Sequence, residues 1–357
     1  MILKKNISAI DLFCGIGGLS YGLSKAGIEV KAGIDIDKTC KYAFETNCES
    51  IFISNDIAKV KGIELNTFYG KNDIKVLVGC APCQPFSSYT YKSDKQKDHR
   101  WQLLYEFVRL IKEVKPTIVS MENVPTLLTF KEAPVFNNFI ESLEKEDFFV
   151  WYSIVYAPDY GIPQKRKRLV LLASKLGNIE LLPPTHSLKN YVTVKNAIGR
   201  LETLKSGEFS KKDFIHKASK LSEKNMKRIK QSIPGGSWKK DWDEKLKLSC
   251  HKSDKGKTYV SIYGRMKWDE PSPTMTTFCT GFGNGRFGHP EQDRAISLRE
   301  AAILQSFPRD YKFVNKIENL KFGNISKHIG NAVPPKLGKI IGKSIIQHIK
   351  KYNYDKK

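Results

Sequence analysis

The feature that most limits what this chain can become is the alternation, through its first half, of short apolar runs with stretches of helical spacing. Ile7–Phe13 reads as a buried strand and Gly18–Ala26 as the helix after it. Glu29–Ile34 reads as a second strand, followed by a helix from about Asp37 to Thr46. Val76–Cys80, Thr117–Met121, Val150–Tyr156 and Leu169–Ala173 are further strands, with helices near Leu103–Lys112 and Pro134–Glu144. Strands that alternate with helices imply an α/β fold, a doubly wound and mostly parallel sheet covered on both faces. Ligands of such sheets gather at the carboxyl ends of the strands.

After Pro183-Pro184 the character changes: Lys, Ser and Gly rise, apolar runs shorten, and SIPGGSWKKDW reads as an irregular loop. Residues 183–324 are therefore expected to form a second, smaller domain. Residues 1–182 and 325–357 form the first, because a final helix near Lys336–Lys350 carries Leu337, Ile340, Ile341, Ile345 and Ile346 at helical spacing and is expected to return there. A chain of 357 residues can build both cores. The opening MILKKNISAIDLF has no apolar stretch of signal-peptide length and nothing later approaches a membrane span, so no membrane association is expected. Seven irregularly spaced cysteines do not suggest a disulfide framework, and the expected location is the reducing cytoplasm.

Charge narrows the partner. Lys and Arg number 60 against 37 Asp and Glu, a formal +23, and Thr185–Glu270 alone holds 21 basic and 10 acidic residues. Such a field attracts polyanions and releases their counterions on binding. A solvated Lys-rich face would read the same way, so charge names a class of partner and no chemistry.

Chemistry enters at the strand ends. In DLFCGIGGLS (Asp11–Ser20), Gly15, Gly17 and Gly18 fall between the first strand and its helix, where the chain turns tightly and a ligand can approach the backbone. Asp35 ends the second strand about twenty residues on, placed to bind a ribose diol. A nicotinamide-binding fold or a plain tight turn would give much the same pattern. Asp56-Ile57 could meet an adenine, or simply end a strand. VLVGCAPCQPFS (Val76–Ser87) runs a strand into a loop presenting Cys83 between Pro82 and Gln84. Later strands bring Glu122-Asn123-Val124, then Gln164, Arg166 and Arg168 of YGIPQKRKR, to the same edge.

Six segments in order, DLFCGIGG, APCQPFS, MENV, YGIPQKRKR, SLREAAILQSFP (Ser297–Pro308) and IGNAVPP (Ile329–Pro335), make the chain resemble the DNA (cytosine-5) methyltransferase family, in its bacterial and phage restriction-modification type. The resemblance implies the Rossmann-like fold of S-adenosylmethionine-dependent methyltransferases, with 183–324 as a target-recognition domain. Carbon 5 of cytosine is a poor nucleophile until a thiolate adds to carbon 6, and the resemblance gives that task to Cys83, helped by a basic neighbour such as Arg166. Glu122 would protonate or hydrogen-bond ring nitrogen 3, Asn123 would orient its loop, and Arg166 and Arg168 would hold the base carbonyl and a phosphate. The base must be flipped out of the stack to be reached. Gln84, Pro85, Phe86 and Ser87 would belong to the loop that closes over it, and Gln164 would join them at the DNA. Thr276 of PSPTMTT would contact phosphate, while Arg265, Trp268 and the GGSW loop are candidates for the groove on their chemistry alone. For S-adenosylmethionine the resemblance implies Phe13, Gly15, Gly17, Gly18, Asp35, Ile36, Asp56, Ile57, Pro82, Leu103, Asn331 and Ala332. No metal is implied. The expected partner is double-stranded DNA, met by a monomer, with a cognate restriction endonuclease acting separately.

Two departures stand out. Asp35-Ile36 replaces the family's more frequent Glu and aromatic, and Gly-Cys-Ala precedes Pro82-Cys83, which puts a second thiol, Cys80, three residues before the first. Cys80-x-x-Cys83 could hold zinc or act as a redox pair, but Cys40 and Cys48 do not supply a second ligand pair at that spacing. Cys80 reads as a small buried strand residue. Two rival functions remain: the same reaction on RNA, which the long basic insert disfavours, and an inactive DNA-binding regulator, which Cys83, Glu122 and Arg166 disfavour.

Overall fold

Aliphatic runs become strands where neighbours can pair with them, and seven do so here. The computed structural model describes residues 6–82, 99–130, 134–254 and 256–354. In chain order the main elements are β1 (Ile7–Leu12), α1 (Gly18–Ala26), β2 (Glu29–Asp35), α2 (Lys41–Cys48), β3 (Ile51–Ser54), α3 (Gly62–Asn66), β4 (Ile74–Gly79), α4 (Leu103–Val114), β5 (Ile118–Asn123), α5 (Val135–Glu144), β6 (Phe149–Tyr156) and β7 (Lys167–Ser174). They continue with α6 (Val194–Ile198), α7 (Glu223–Gln231), α8 (Trp238–Asp241), α9 (Leu298–Leu304), α10 (Phe322–Asn331) and α11 (Pro335–Tyr354). Among the described residues no helix is long and apolar enough to cross a membrane.

The strands form one sheet in the order β3-β2-β1-β4-β5-β7-β6. The pairs β2–β3, β1–β2, β1–β4 and β4–β5 are parallel, whereas β7 runs antiparallel to both β5 and β6. Strand order reverses at β1, between β2 and β4, so the turns leaving β1 and β4 diverge and open a crevice at their carboxyl ends. The reversed β7 has a second consequence. Its first residues, not its last, lie at that same edge, with Leu169 paired to Asn123.

The chain divides into two compact units. The first takes in β1 to β6, then Lys167–Thr185 and the chain from Val333, with α11; the second takes in Ala157–Arg166 and His186–Ala332. The expected division at 183–324 thus differs from the observed one at three places, 157–166, 183–185 and 325–332. Ala157–Arg166 belongs with the second unit because Gln164 and Arg166 bond to Met275 and Gly330 there, and the second unit runs on through α10.

In the first unit Ile10, Leu12, Leu77, Phe107, Leu110, Val119, Leu169 and Leu171 are all fully buried in one core between the sheet, α4 and α5. The amphipathic α4 turns Leu104, Phe107, Val108, Leu110, Ile111 and Val114 inward. α1 and α11 meet backbone to backbone through a seam of glycines. A Cβ on Gly22 would stand 2.5 Å from Lys339 N, one on Gly338 2.8 Å from Leu19 O, and one on Gly342 2.7 Å from Ala26 Cβ.

The second unit is built differently, from short helices, isolated bridges and buried polar side chains. Ile229, Trp238, Trp242, Leu246, Phe282 and Ala295 form a small core. The Arg228 guanidinium lies 5.4 Å from the ring centres of Trp242 and Tyr263, and His251 stacks on Trp238 at 4.0 Å. Elsewhere in the unit the Arg294 fork grips Glu300 with two bonds of 2.7 Å, both side chains being buried, while Glu300 also completes a capping box with Ser297 at the start of α9.

Candidate active site

At the end of β1 the chain must leave a buried strand and enter α1 within five residues. It does so through left-handed backbone at Phe13 (φ 63°), Gly15 (φ 51°) and Gly17 (φ 86°), the last acting as N-cap of α1. Two of these positions take glycine because a Cβ strains there; Phe13 bears that strain while its ring packs on the core. The turn is fixed from below and from the side. Ser20 Oγ donates to Asp11 Oδ2 at 2.6 Å, and Gly15 N–H donates to Asp35 Oδ2 at 2.8 Å. Burial pushes the Asp11 carboxyl up from 3.8 to about 7, with the Asp35 charge adding to the rise against the Ser20 hydrogen bond.

Asp35, the last residue of β2, is oriented on both oxygens: Oδ2 by Gly15 and Oδ1 by Asp37 N–H at 2.8 Å. Ile36, next in the chain, is 71% exposed, an apolar side chain left in water beside a fixed carboxylate. Asp56 caps the turn after β3 by accepting from Ala58 N–H at 3.1 Å; Ile57 is buried in the core and its carbonyl accepts from Arg109. Gly17 and Gly18 are buried, whereas Pro82 and Leu103 are half-buried. The sheet therefore brings Phe13, Gly15, Gly17, Gly18, Asp35 and Ile36 to one corner, the carboxyl ends of β1 and β2.

A second cluster forms one strand further along. Glu122, expected just past the end of the strand, is its penultimate residue and only 2% exposed. Because β7 is antiparallel, Arg168 stands beside it, with Nε 3.0 Å from Glu122 Oε1. Oε1 makes no aligned hydrogen bond, so the contact is chiefly Coulombic. Oε2 accepts from Cys80 Sγ at 2.8 Å. Cys80 is thus neither within β4 nor simply packing, the role its size suggested. It is half-buried, one residue past the strand, and in contact with Glu122. Asn123 donates to Ala81 O at 3.2 Å and accepts from Val124 N–H at 2.8 Å, tethering the segment that leads out of β4. Cys83, Gln84 and Ser87, with Pro85 and Phe86, lie outside the described residues.

The remaining candidates belong to the second unit, and several are placed otherwise than expected. Arg166 is buried, its fork donating to Met275 O at 3.0 Å and to Gly330 O and Ala332 O at 3.4 Å. It fastens main-chain carbonyls of its own unit. Gln164 is fully buried between Leu304 O, Gln305 Oε1 and Met275 N–H, so it offers no exposed edge to DNA. Arg265 is 5% exposed and donates to the carbonyls of Ile229, Ser232, His289 and Gln292, and to Asp293. A groove-facing role needs free donors, and these are engaged inside. Trp238 of the GGSW loop is core, while Trp268 is half-buried and donates to Glu291. Thr276 is half-buried beside Gly330, where a Cβ would stand 2.6 Å from Thr277 N. Asn331 is exposed and Ala332 half-buried at the end of α10. Two further residues stand out: Cys80, read from the sequence only as a second thiol, meets Glu122, and Phe278, which the sequence did not single out, is an aromatic ring 65% exposed two residues past Thr276.

Comparison with known proteins supplies the reaction. Residues 7–347 match the family model of the C-5 cytosine-specific DNA methylases. The chain is 56% identical over 338 residues to the Type II methylase M.HgiDII of Herpetosiphon aurantiacus, covering 95% of this chain and 94% of the relative. It is 33% identical to the Type II methyltransferase M.PspPI of Psychrobacter sp. (strain TA137), covering 96% and 80%. Among solved structures, a prophage-encoded DNA modification methyltransferase from E. coli shares the fold with a TM-score of 0.76 at 23% identity, covering 97% of this chain and all of that one. With a family model spanning nearly its whole length and a close relative over 95% of it, the chain belongs to the C-5 cytosine-specific DNA methylases.

Proposed function

We propose that this enzyme methylates carbon 5 of one cytosine within a short duplex DNA sequence, using S-adenosylmethionine, and that it protects DNA in a restriction-modification system. The observation that carries the reading is Glu122: a buried carboxyl at the carboxyl edge of the sheet, beside Arg168, on the strand next to the one that leads to Cys83.

The corner around Asp35 fits the cofactor. Two backbone amides hold the Asp35 carboxylate ready for a ribose diol, Ile36 offers an exposed apolar face to an adenine ring, and Phe13, Gly15, Gly17 and Gly18 line the turn. Asp56, Ile57, Pro82, Leu103, Asn331 and Ala332 complete the proposed set. When bound, S-adenosylmethionine supplies a methyl group on a sulfonium, which an electron-rich carbon can take.

This chain's residues make carbon 5 electron-rich. The flipped cytosine meets the Cys83 thiolate, which forms a bond to carbon 6. Glu122 gives a proton to, or shares one with, ring nitrogen 3, so the electron pair pushed into the ring comes to rest there. Arg168, held against Glu122, reaches for the base carbonyl as a permanent cation. After methylation a base removes the proton on carbon 5, the carbon 6–sulfur bond breaks, and the thiolate leaves with its electron pair. Asn123 supports this site by holding Ala81, while Arg166 orders carbonyls of its own unit.

The second unit is proposed as the target-recognition module. With Arg265 and Gln164 internal, the candidates for DNA become Thr276, the exposed Phe278, and Lys224, Lys227 and Lys230, exposed along α7. The enzyme is proposed to act as a cytoplasmic monomer, with an endonuclease of the same specificity working separately. The test is transfer of label from tritiated S-adenosylmethionine to genomic DNA or total RNA, followed by bisulfite sequencing. Label in DNA at cytosines sharing one short motif is expected, and Cys83→Ser should keep DNA binding while losing transfer. Label confined to RNA would refute the substrate assignment.

A further inference from the structure

We infer that Cys80 is a positioning residue for Glu122, its thiol holding one carboxyl oxygen in place until the base arrives. The inference rests on the reading of Glu122 above. In the parallel β4–β5 ladder Gly79 pairs with Met121, so Cys80 and Glu122 are the next pair along. The Cys80 backbone is pinned, its N–H donating to Leu12 O at 3.3 Å at the end of β1. The preceding Gly79 lets the strands close, since a Cβ there would stand 2.8 Å from Leu12 O. From that fixed backbone Sγ reaches Glu122 Oε2 at 2.8 Å, while Arg168 Nε sits 3.0 Å from Oε1.

The two oxygens therefore have neighbours of unlike strength. Arg168 is a permanent cation; a thiol is a weak neutral donor. A carboxyl gripped by two strong donors would resist turning an oxygen to ring nitrogen 3, and one gripped on one side only would wander. A thiol orients Oε2 and yields it at small cost. Neither Gly nor Ala at this position could do so, and nothing in the zinc or redox readings of the same cysteine accounts for its contact with Glu122.

The test measures methyl transfer from tritiated S-adenosylmethionine to unmethylated genomic DNA by the full-length enzyme and by Cys80→Ala, Cys80→Ser and Glu122→Gln. Cys80→Ala should lower kcat about 5- to 10-fold, the equivalent of one net hydrogen bond, with KM for DNA and cofactor unchanged. Cys80→Ser, which restores a donor, should recover most of the loss. An unchanged kcat in Cys80→Ala, a loss carried by KM, or a Ser variant no better than Ala would each overturn the inference. If Glu122→Gln itself left methyl transfer intact, the reading of Glu122 would fall instead. Equal melting temperatures across the set are expected, and a lower one in Cys80→Ala that Ser does not restore would assign the thiol to packing, against the proposal.

Discussion

The two units of this chain solve the problem of a stable interior in opposite ways. In the first, a seven-stranded sheet buries continuous Leu, Ile, Val and Phe, and its charged groups stand at strand ends. In the second, Arg166, Arg228, Arg265, Arg294 and Arg299 are all buried, and their guanidinium groups bond to carbonyls and carboxylates where ladders are missing. An arginine has five donors in a rigid fork and can satisfy several loose carbonyls at once, which an irregular chain supplies in quantity. The lesson is that a basic domain is not basic for one reason. Part of its charge faces outward into solvent, and part is the frame on which loops are hung.

The largest expected effect breaks that frame. Burial would raise the Glu300 carboxyl, but the bonds and charge of Arg294 outweigh it and hold it below its ordinary value. Arg294→Ala leaves that charge buried and unpaired and should cost about 3–5 kcal/mol in urea unfolding. Arg294→Met with Glu300→Leu, which removes both charges, should recover part of it. If the single variant were as stable as the wild type, the polar frame would be ornament.

Next comes the apolar counterpart. Leu171→Ala, in the sheet core, should cost about 3 kcal/mol by opening a cavity. Unlike the arginine variant, it should lose the same amount at high and low salt. A loss that varied strongly with salt would blur the contrast between the units.

Asp11 tests a buried acid of the first unit. Its folded carboxyl titrates at about 7 against 3.8 ordinarily, so the folded state keeps a proton that the unfolded chain gives up. Stability should be fullest below about pH 4 and decline as pH rises to about 7, with a slope from this group approaching 1.4 kcal/mol per pH unit. Asp11→Asn should lack that component of the slope. Denaturant melts of both proteins at pH 5, 6, 7 and 8 measure it, and parallel curves would mean that Asp11 does not carry the proton.

The smallest effect on stability belongs to the outward charge. Replacing Lys224, Lys227 and Lys230 of α7 by Gln should change unfolding by less than about 0.5 kcal/mol each. Each lysine that touches phosphate should take about one unit from the slope of log binding constant against log salt. Titrations of duplex DNA at several salt concentrations decide it; an unchanged slope would remove α7 from the interface.

Legibility in the sequence follows the same division. α1 falls at Gly18–Ala26, as periodicity and the glycine turn predict, because a strand and a helix of the first unit each impose their own repeat on the letters. Glu122 and Arg168 were readable as strand-end residues, but their contact depends on the reversal of β7, which no local pattern announces. Arg265 and Gln164 show the limit more sharply. A buried arginine that bonds four carbonyls and a solvated one facing a groove are the same letter, and only the fold separates them. Cys80 was visible as a second thiol, yet its partner lies on another strand, 42 residues away.

The glycine seam between α1 and α11 sets a schedule for biosynthesis. Gly338 leaves the ribosome roughly three hundred residues after Gly22, so the glycine face of α1 stays bare through most of translation. The nascent chain has its glycine turn and its strands long before it has the helix that covers α1. A chain that stops before residue 335 leaves that face of α1 without the helix it was shaped to receive.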